Sequence, residues 1–116
     1  MKKSLDFYVH GLGFEIDQQA GPKEDIGWVM LKRDAIFLML NTQYELPERP
    51  ESPNKLRGKH HGDTILYIGC QDIDALYSEL LSKGLSPGNP LRTGYGFRAM
   101  EISDPDGYKT CFQWRE

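Results

Sequence analysis

The chain has 116 residues, enough to bury the core of one ordinary domain, with 39% hydrophobic and 27% charged residues, which excludes a disordered or fibrous chain. Its formal charge of −3 argues against a nucleic-acid partner, which selects for a basic face, and no apolar run reaches the roughly 20 residues that span a bilayer. Two cysteines, Cys70 and Cys111, are too few for a disulfide framework and form no CxxC pair, so a reduced, cytoplasmic protein is expected.

The first predicted element is a helix. Leu5, Tyr8 and Leu12 recur at helical spacing, and Gly11 and Gly13 stop it. The helix begins at once, so no signal peptide is expected. Phe14 to Ile16 starts an extended segment, and a loop with Gly21 and Pro22 follows. Two apolar runs, Trp28 to Leu31 and Ala35 to Leu40, flank Lys32-Arg33-Asp34 and read as a hairpin. Residues 43–62 hold Pro47, Pro50 and Pro53 among mixed charges and read as an exposed linker. Thr64 to Gly69 reads as a buried strand. Asp72 or Asp74 caps a helix running through Leu76, Leu80 and Leu81, and Gly84 stands where a left-handed terminal residue belongs. A Gly/Pro loop leads to a strand at Phe97–Ser103, a turn at Asp104-Pro105-Asp106-Gly107, and a last strand at Lys109–Trp114.

The halves repeat. Leu5 and Gly13 match Leu76 and Gly84 at an offset of 71, and Asp34 follows the same logic against Gly107 at 73. Each half reads helix, strand, strand, strand. The second half has a further strand before its helix. Its counterpart falls before Met1, so the first strand of the first repeat is expected to be absent. The expected fold is α+β: two tandem βαβββ modules, about 1–42 and 63–116, whose curved mixed sheets make a concave cup in one domain.

Three segments carry a resemblance: SLDFYVHGLGFEI (Ser4–Ile16), DIDALYSELLSKG (Asp72–Gly84) and DPDGYK (Asp104–Lys109). In this order, on a doubled unit, they resemble the vicinal oxygen chelate superfamily, which holds glyoxalase I, bleomycin-resistance proteins, fosfomycin-resistance enzymes and extradiol dioxygenases. The fold carries several chemistries, so the resemblance alone does not select one. It implies four metal-ligand positions, normally His or Glu. One falls on the absent strand, and the others fall at Leu38, Ile65 and Cys111. Aliphatic side chains have no lone pair to give, so no metal and no cofactor are expected. His60 and His61 lie among Lys55, Arg57 and Lys59 and are expected to be solvated. His10 is expected at the surface.

Strand alternation then assigns faces. If Leu38, Ile65 and Cys111 face the cup, Ile36, Leu40, Tyr67 and Gln113 do too, while Phe37, Met39, Leu66, Ile68, Phe112 and Trp114 pack beneath the helices. Phe97, Ala99, Glu101 and Ser103 also take the cup side. Tyr95, between Gly94 and Gly96, stands at the mouth, where a planar ligand can stack. The expected binding residues are Leu38, Ile65, Tyr67, Tyr95, Phe97, Glu101, Cys111 and Gln113, with no catalytic residue. Glu101 reads either as a ligand anchor or as half of an internal ion pair with Arg98 or Lys109.

Three functions compete. A metal-independent protein that sequesters a hydrophobic or cationic small molecule fits the apolar replacements, as in bleomycin-resistance proteins. A metal-dependent lyase, transferase or dioxygenase needs a non-standard site. An interaction or sensor subunit needs no site. The resemblance and the apolar Ala35–Leu40 run both imply a homodimer.

Overall fold

The computed structural model describes residues 1–42, 46–52 and 55–116, with no side-chain description at positions 46, 57 and 58. The chain divides into two units, Met1–Pro53 and Asn54–Glu116.

The first unit opens on the expected helix. Helix α1 covers Lys2–Leu5 and continues as a wider π turn over Asp6–Gly11. The Leu12 N–H donates to the Phe7 carbonyl at 2.8 Å and the Phe14 N–H to the Tyr8 carbonyl at 3.0 Å, five and six residues back instead of four. Gly13, at φ 77°, supplies the left-handed residue that ends the turn. Phe7, Tyr8, Leu12 and Phe14 are buried, and the three rings meet edge to face.

Three antiparallel strands follow, β1 (Glu15–Ala20), β2 (Trp28–Arg33) and β3 (Ile36–Asn41), in the order β1-β2-β3. A two-residue turn, with Asp34 at φ 51°, joins β2 to β3. No strand precedes the helix among the described residues of this unit.

The register corrects the face expected for β3. Leu38 lies opposite Leu31, and Leu40 opposite Val29. Leu31 and Val29 are fully buried, so this is the packed side of the sheet. Arg33 shares that side and donates to the Leu12 carbonyl at the end of the helix. Phe37 and Met39, expected underneath, are 57% and 62% exposed. They pair with Lys32 and Met30, and Trp28 shares their open face. The β2–β3 connection is shorter than the one ending the second unit, and a shift of one residue moves every side chain to the other face.

The second unit begins with helix α2 (Lys55–His60) and a 3₁₀ turn at His61–Asp63. Part of the stretch expected as a linker is thus helical, and Leu46–Glu48 forms a 3₁₀ turn in the first unit. Residues 43–45 and 53–54 of that stretch lie outside the described residues.

Strand β4 (Ile65–Gly69) leads to helix α3 (Ile73–Ser82), whose N-cap is Asp72: its carboxylate accepts from the Ala75 N–H at 3.0 Å. Gly84, at φ 80°, closes the helix as expected. Then come β5 (Leu91–Arg92), β6 (Phe97–Ser103) and β7 (Lys109–Arg115). The sheet order is β4-β7-β6-β5; β4 runs parallel to β7 and the other pairs are antiparallel. Ile73, Leu76 and Leu80 of α3 are buried, as are Met100, Ile102 and Phe112 on the side of the sheet that α3 packs against. The molecule is therefore mixed α+β, with the second unit a complete βαβββ module and the first a helix and three strands.

Candidate functional site

The ladder of the second unit gathers six of the eight expected residues on the face away from α3. Tyr67 on β4 lies opposite Cys111 on β7, which lies opposite Glu101 on β6. Partners across such ladders stand about 5 Å apart, so a phenol, a thiol and a carboxylate form one row over three strands. Ile65 and Gln113 flank the row on the same face, since Ile65 pairs with Lys109 and Gln113 with Ala99. Phe97 shares it, opposite Arg115. The parity expected for this sheet matches the register. Leu38 belongs to the first unit, on the packed side of its sheet.

Tyr95 joins from the loop before β6. Its hydroxyl donates to Gln113 Oε1 at 3.2 Å, and its ring centroid lies 5.4 Å from that of Phe97. The Arg115 guanidinium lies 5.5 Å from the Phe97 centroid, within cation–π range. Gly96, at φ 83°, turns the chain between the two rings. The result is an aromatic pair on the same face, with Phe97 four residues along β6 from Glu101 and Gln113 lying between the pair and the row, while Tyr67, 60% exposed, ends the row on β4.

Electrostatics separate the two polar members. The Glu101 side chain is half in water and faces Lys109 Nζ at 4.0 Å, the long limit of an ion pair. Such an exposed pair contributes about 0–1 kcal/mol, so the carboxylate is open to exchange for another cation. Arg98, the other expected partner, lies on the opposite face and forms two hydrogen bonds with Asp74, at 2.9 and 2.6 Å. Cys111 is only 3% exposed. Burial pushes its thiol pKa up, and the nearby Glu101 carboxylate pushes further the same way. The neutral thiol that results is a poor nucleophile and a poor ligand.

Among the described residues, no three His, Cys, Asp or Glu side chains converge as a cation site. In the second unit the implied ligand positions hold Ile65 and Cys111. In the first, the register puts Met39 opposite Met30 on the open face, the arrangement Cys111 and Glu101 have in the second, so Met39 replaces Leu38 as the corresponding position. His61 is engaged elsewhere: Nδ1 lies 2.6 Å from the Asp106 carbonyl, and the ring stacks on Tyr108 at 4.0 Å. This differs from the free, solvated ring expected. His10 is exposed, as expected.

Sequence reasoning named Lys109 only as an ion-pair partner and passed over Arg115, although the alternation Lys109, Cys111, Gln113, Arg115 carries both to the same face. It also passed over the open face of the first sheet, with Trp28, Met30, Phe37 and Met39, because one misplaced turn residue reversed that strand.

Residues 1–112 match the family model described as Glyoxalase/Bleomycin resistance protein/Dioxygenase superfamily. A search of curated proteins finds no significant match. Solved structures share the fold. TnmS3, an antibiotic binding protein from a Streptomyces species, is 23% identical, with a TM-score of 0.70 over 99% of this chain and 86% of that one. TioX from a Micromonospora species is 16% identical, with a TM-score of 0.75 over 99% and 89%. A bleomycin-binding protein solved with bleomycin is 18% identical, with a TM-score of 0.67 over 97% and 88%.

Proposed function

Because the chain belongs to the glyoxalase/bleomycin resistance protein/dioxygenase superfamily, we propose that it is a metal-independent, homodimeric binding protein that sequesters a hydrophobic or cationic small molecule and makes or breaks no bond. The observation that carries this reading is the row Tyr67–Cys111–Glu101 on the same sheet face as the Tyr95–Phe97 pair, with Gln113 between them. Exposed rings offer flat apolar area, and one solvated carboxylate offers a counter-charge to a cation. The thiol between them is held neutral and supplies no nucleophile. The net charge of −3 attracts a cation at long range. Two of the fold relatives are antibiotic-binding or bleomycin-binding by name, which agrees with a ligand of that kind.

The test is a thermal-shift screen of planar antibiotics in cationic, neutral and anionic forms, followed by titration of the Glu101→Gln variant, which keeps the shape and removes the charge. A cationic ligand is expected to raise Tm and to bind the variant about 10-fold more weakly at low salt, as loss of a charged hydrogen bond of about 1.5 kcal/mol requires. Equal affinity for both forms removes Glu101 as the anchor. Binding of anionic compounds alone overturns the charge argument.

A further inference from the structure

Two neighbouring side chains on the open face of the second sheet offer hydrogen-bond donors and no free acceptor. Arg115 and Gln113 are two residues apart on β7, so they leave the same face roughly 6–7 Å from each other. The Arg115 guanidinium carries five N–H donors and a fixed positive charge. It lies 5.5 Å from the Phe97 ring centroid, and no described carboxylate pairs with it. Glu116, next in the chain, is engaged with Arg92 at 3.6 Å instead.

A glutamine ordinarily presents an oxygen as well as an NH2. In Gln113 the oxygen is taken, because the Tyr95 hydroxyl donates to Oε1 at 3.2 Å. The trigonal amide turns Nε2 away from Tyr95, and no described residue accepts from it. Nε2 keeps contact with solvent, since no buried side-chain nitrogen among the described residues lacks a partner. Tyr95 is held in turn by its loop. The Thr93 N–H donates to the Phe97 carbonyl at 2.7 Å, and the Phe97 N–H donates back to Thr93 Oγ1 at 3.0 Å. The Gly96 carbonyl accepts from the Glu116 N–H at 3.1 Å, which ties the loop to the end of β7. Further along the ladder the charge reverses. Glu101 lies opposite Cys111, three residues from the midpoint of Gln113 and Arg115, or roughly 10 Å along the strand.

From this we infer that Arg115 and Gln113 Nε2 form an oxyanion subsite beside the Tyr95–Phe97 pair, and that the ligand is a zwitterion: a flat aromatic body with a carboxylate at this end and an ammonium group at Glu101. A carboxylate bridges the two donors, one oxygen to each, and the charge on Arg115 strengthens the contact. An α-amino acid, with one carbon between its charges, is too short to reach both ends. The inference rests on the small-molecule reading above and narrows its ligand from a cation to a cation that also carries an acid.

The probe is a biphenyl with a para aminomethyl group on one ring and a para carboxylate on the other. Its two single-charge counterparts, the amine alone and the acid alone, are the comparisons. Each is titrated by calorimetry onto the full chain at low salt. The zwitterion is expected to bind about 5-fold more tightly than the amine alone. In Arg115→Gln that advantage is expected to vanish, while the amine alone binds equally or more tightly because a like charge has gone. Glu101→Gln is expected to weaken both amine-bearing probes. Loss of both of them in Arg115→Gln means that Arg115 only supports the sheet, and it overturns the inference. A zwitterion bound within about 2-fold of the amine by the wild type also overturns it and leaves the small-molecule reading intact. If no probe binds, the zwitterion is overturned, and the reading beneath it falls as well only where the thermal-shift screen finds no ligand of any charge.

Discussion

Cys111 sits between Tyr67 and Glu101, and the features that make it look reactive, a thiol beside a carboxylate in a sheet, are the ones that keep it neutral. The carboxylate with the closer partner is on the other side. Hydrogen bonding to Arg98 holds the Asp74 carboxyl below the usual carboxylate range, and charge attraction adds to it against a smaller cost of burial. Asp74 also lies in the first turn of α3, where negative charge suits the helix dipole. The folded chain therefore releases this proton more readily than the unfolded one. The contribution is complete above the ordinary Asp value near 3.9 and is lost as pH falls through the lower folded value. Thermal melts of wild type and Asp74→Asn between pH 7 and 2 are expected to differ at neutral pH and to converge in acid. A gap that stays constant across the range contradicts the assignment.

At the scale of elements, the loop between β6 and β7 shows how one side chain fixes a register. Asp104 is buried, and its Oδ1 accepts from the N–H groups of Asp106 and Tyr108, both at 2.9 Å, while Gly107 at φ 89° completes the reversal. Asp104→Ala leaves two N–H groups without their acceptor and is expected to cost about 1–3 kcal/mol. Asp104→Asn, which keeps an oxygen acceptor, is expected to recover more than half. Denaturant midpoints at unchanged m-value measure both. This turn was legible because DPDG dictates its own geometry, and with it the faces of Phe97–Ser103 and Lys109–Trp114 came out right. The turn at Asp34-Ala35 has no such signature. Counting from it by analogy with the longer loop put Leu38 where Met39 stands, and the open aromatic face of the first sheet was lost with it. The stop at Gly84 was equally plain, whereas the cap lay between Asp72 and Asp74, both acidic residues suited to the start of a helix, of which the structure uses Asp72. The π turn at Asp6–Gly11 was not, since Leu5, Tyr8 and Leu12 satisfy an α period and carry no mark of the wider hydrogen bonding. The face of Glu101 was readable from alternation, and the loop position of Tyr95 from the flanking glycines. Lys109 was named as an ion-pair partner only, and the balance between it and a ligand depends on an exposure that no sequence pattern states.

For the molecule as a whole, the superfamily's name spans binders and dioxygenases, so the decisive property is whether the chain can hold a metal. Divalent transition metals are taken by imidazole, thiolate and carboxylate groups, several at once and close together. In the second unit the implied positions offer an aliphatic side chain at Ile65 and, at Cys111, a thiol that burial and Glu101 keep protonated. In the first unit the corresponding open position is Met39, a thioether. Glu101 alone remains as an ionised donor in the row, and it is half in water beside Lys109. One exposed carboxylate binds such ions weakly, because water competes for every other coordination position. Protein reconstituted separately with Ni, Zn, Mn, Fe and Co, then dialysed and analysed for metal, is therefore expected to retain well under 0.1 equivalent of each, on the order of what one carboxylate holds. Retention near one equivalent of any of them would mean that the ligands come from residues outside the row, and it would overturn the metal-independent function proposed above.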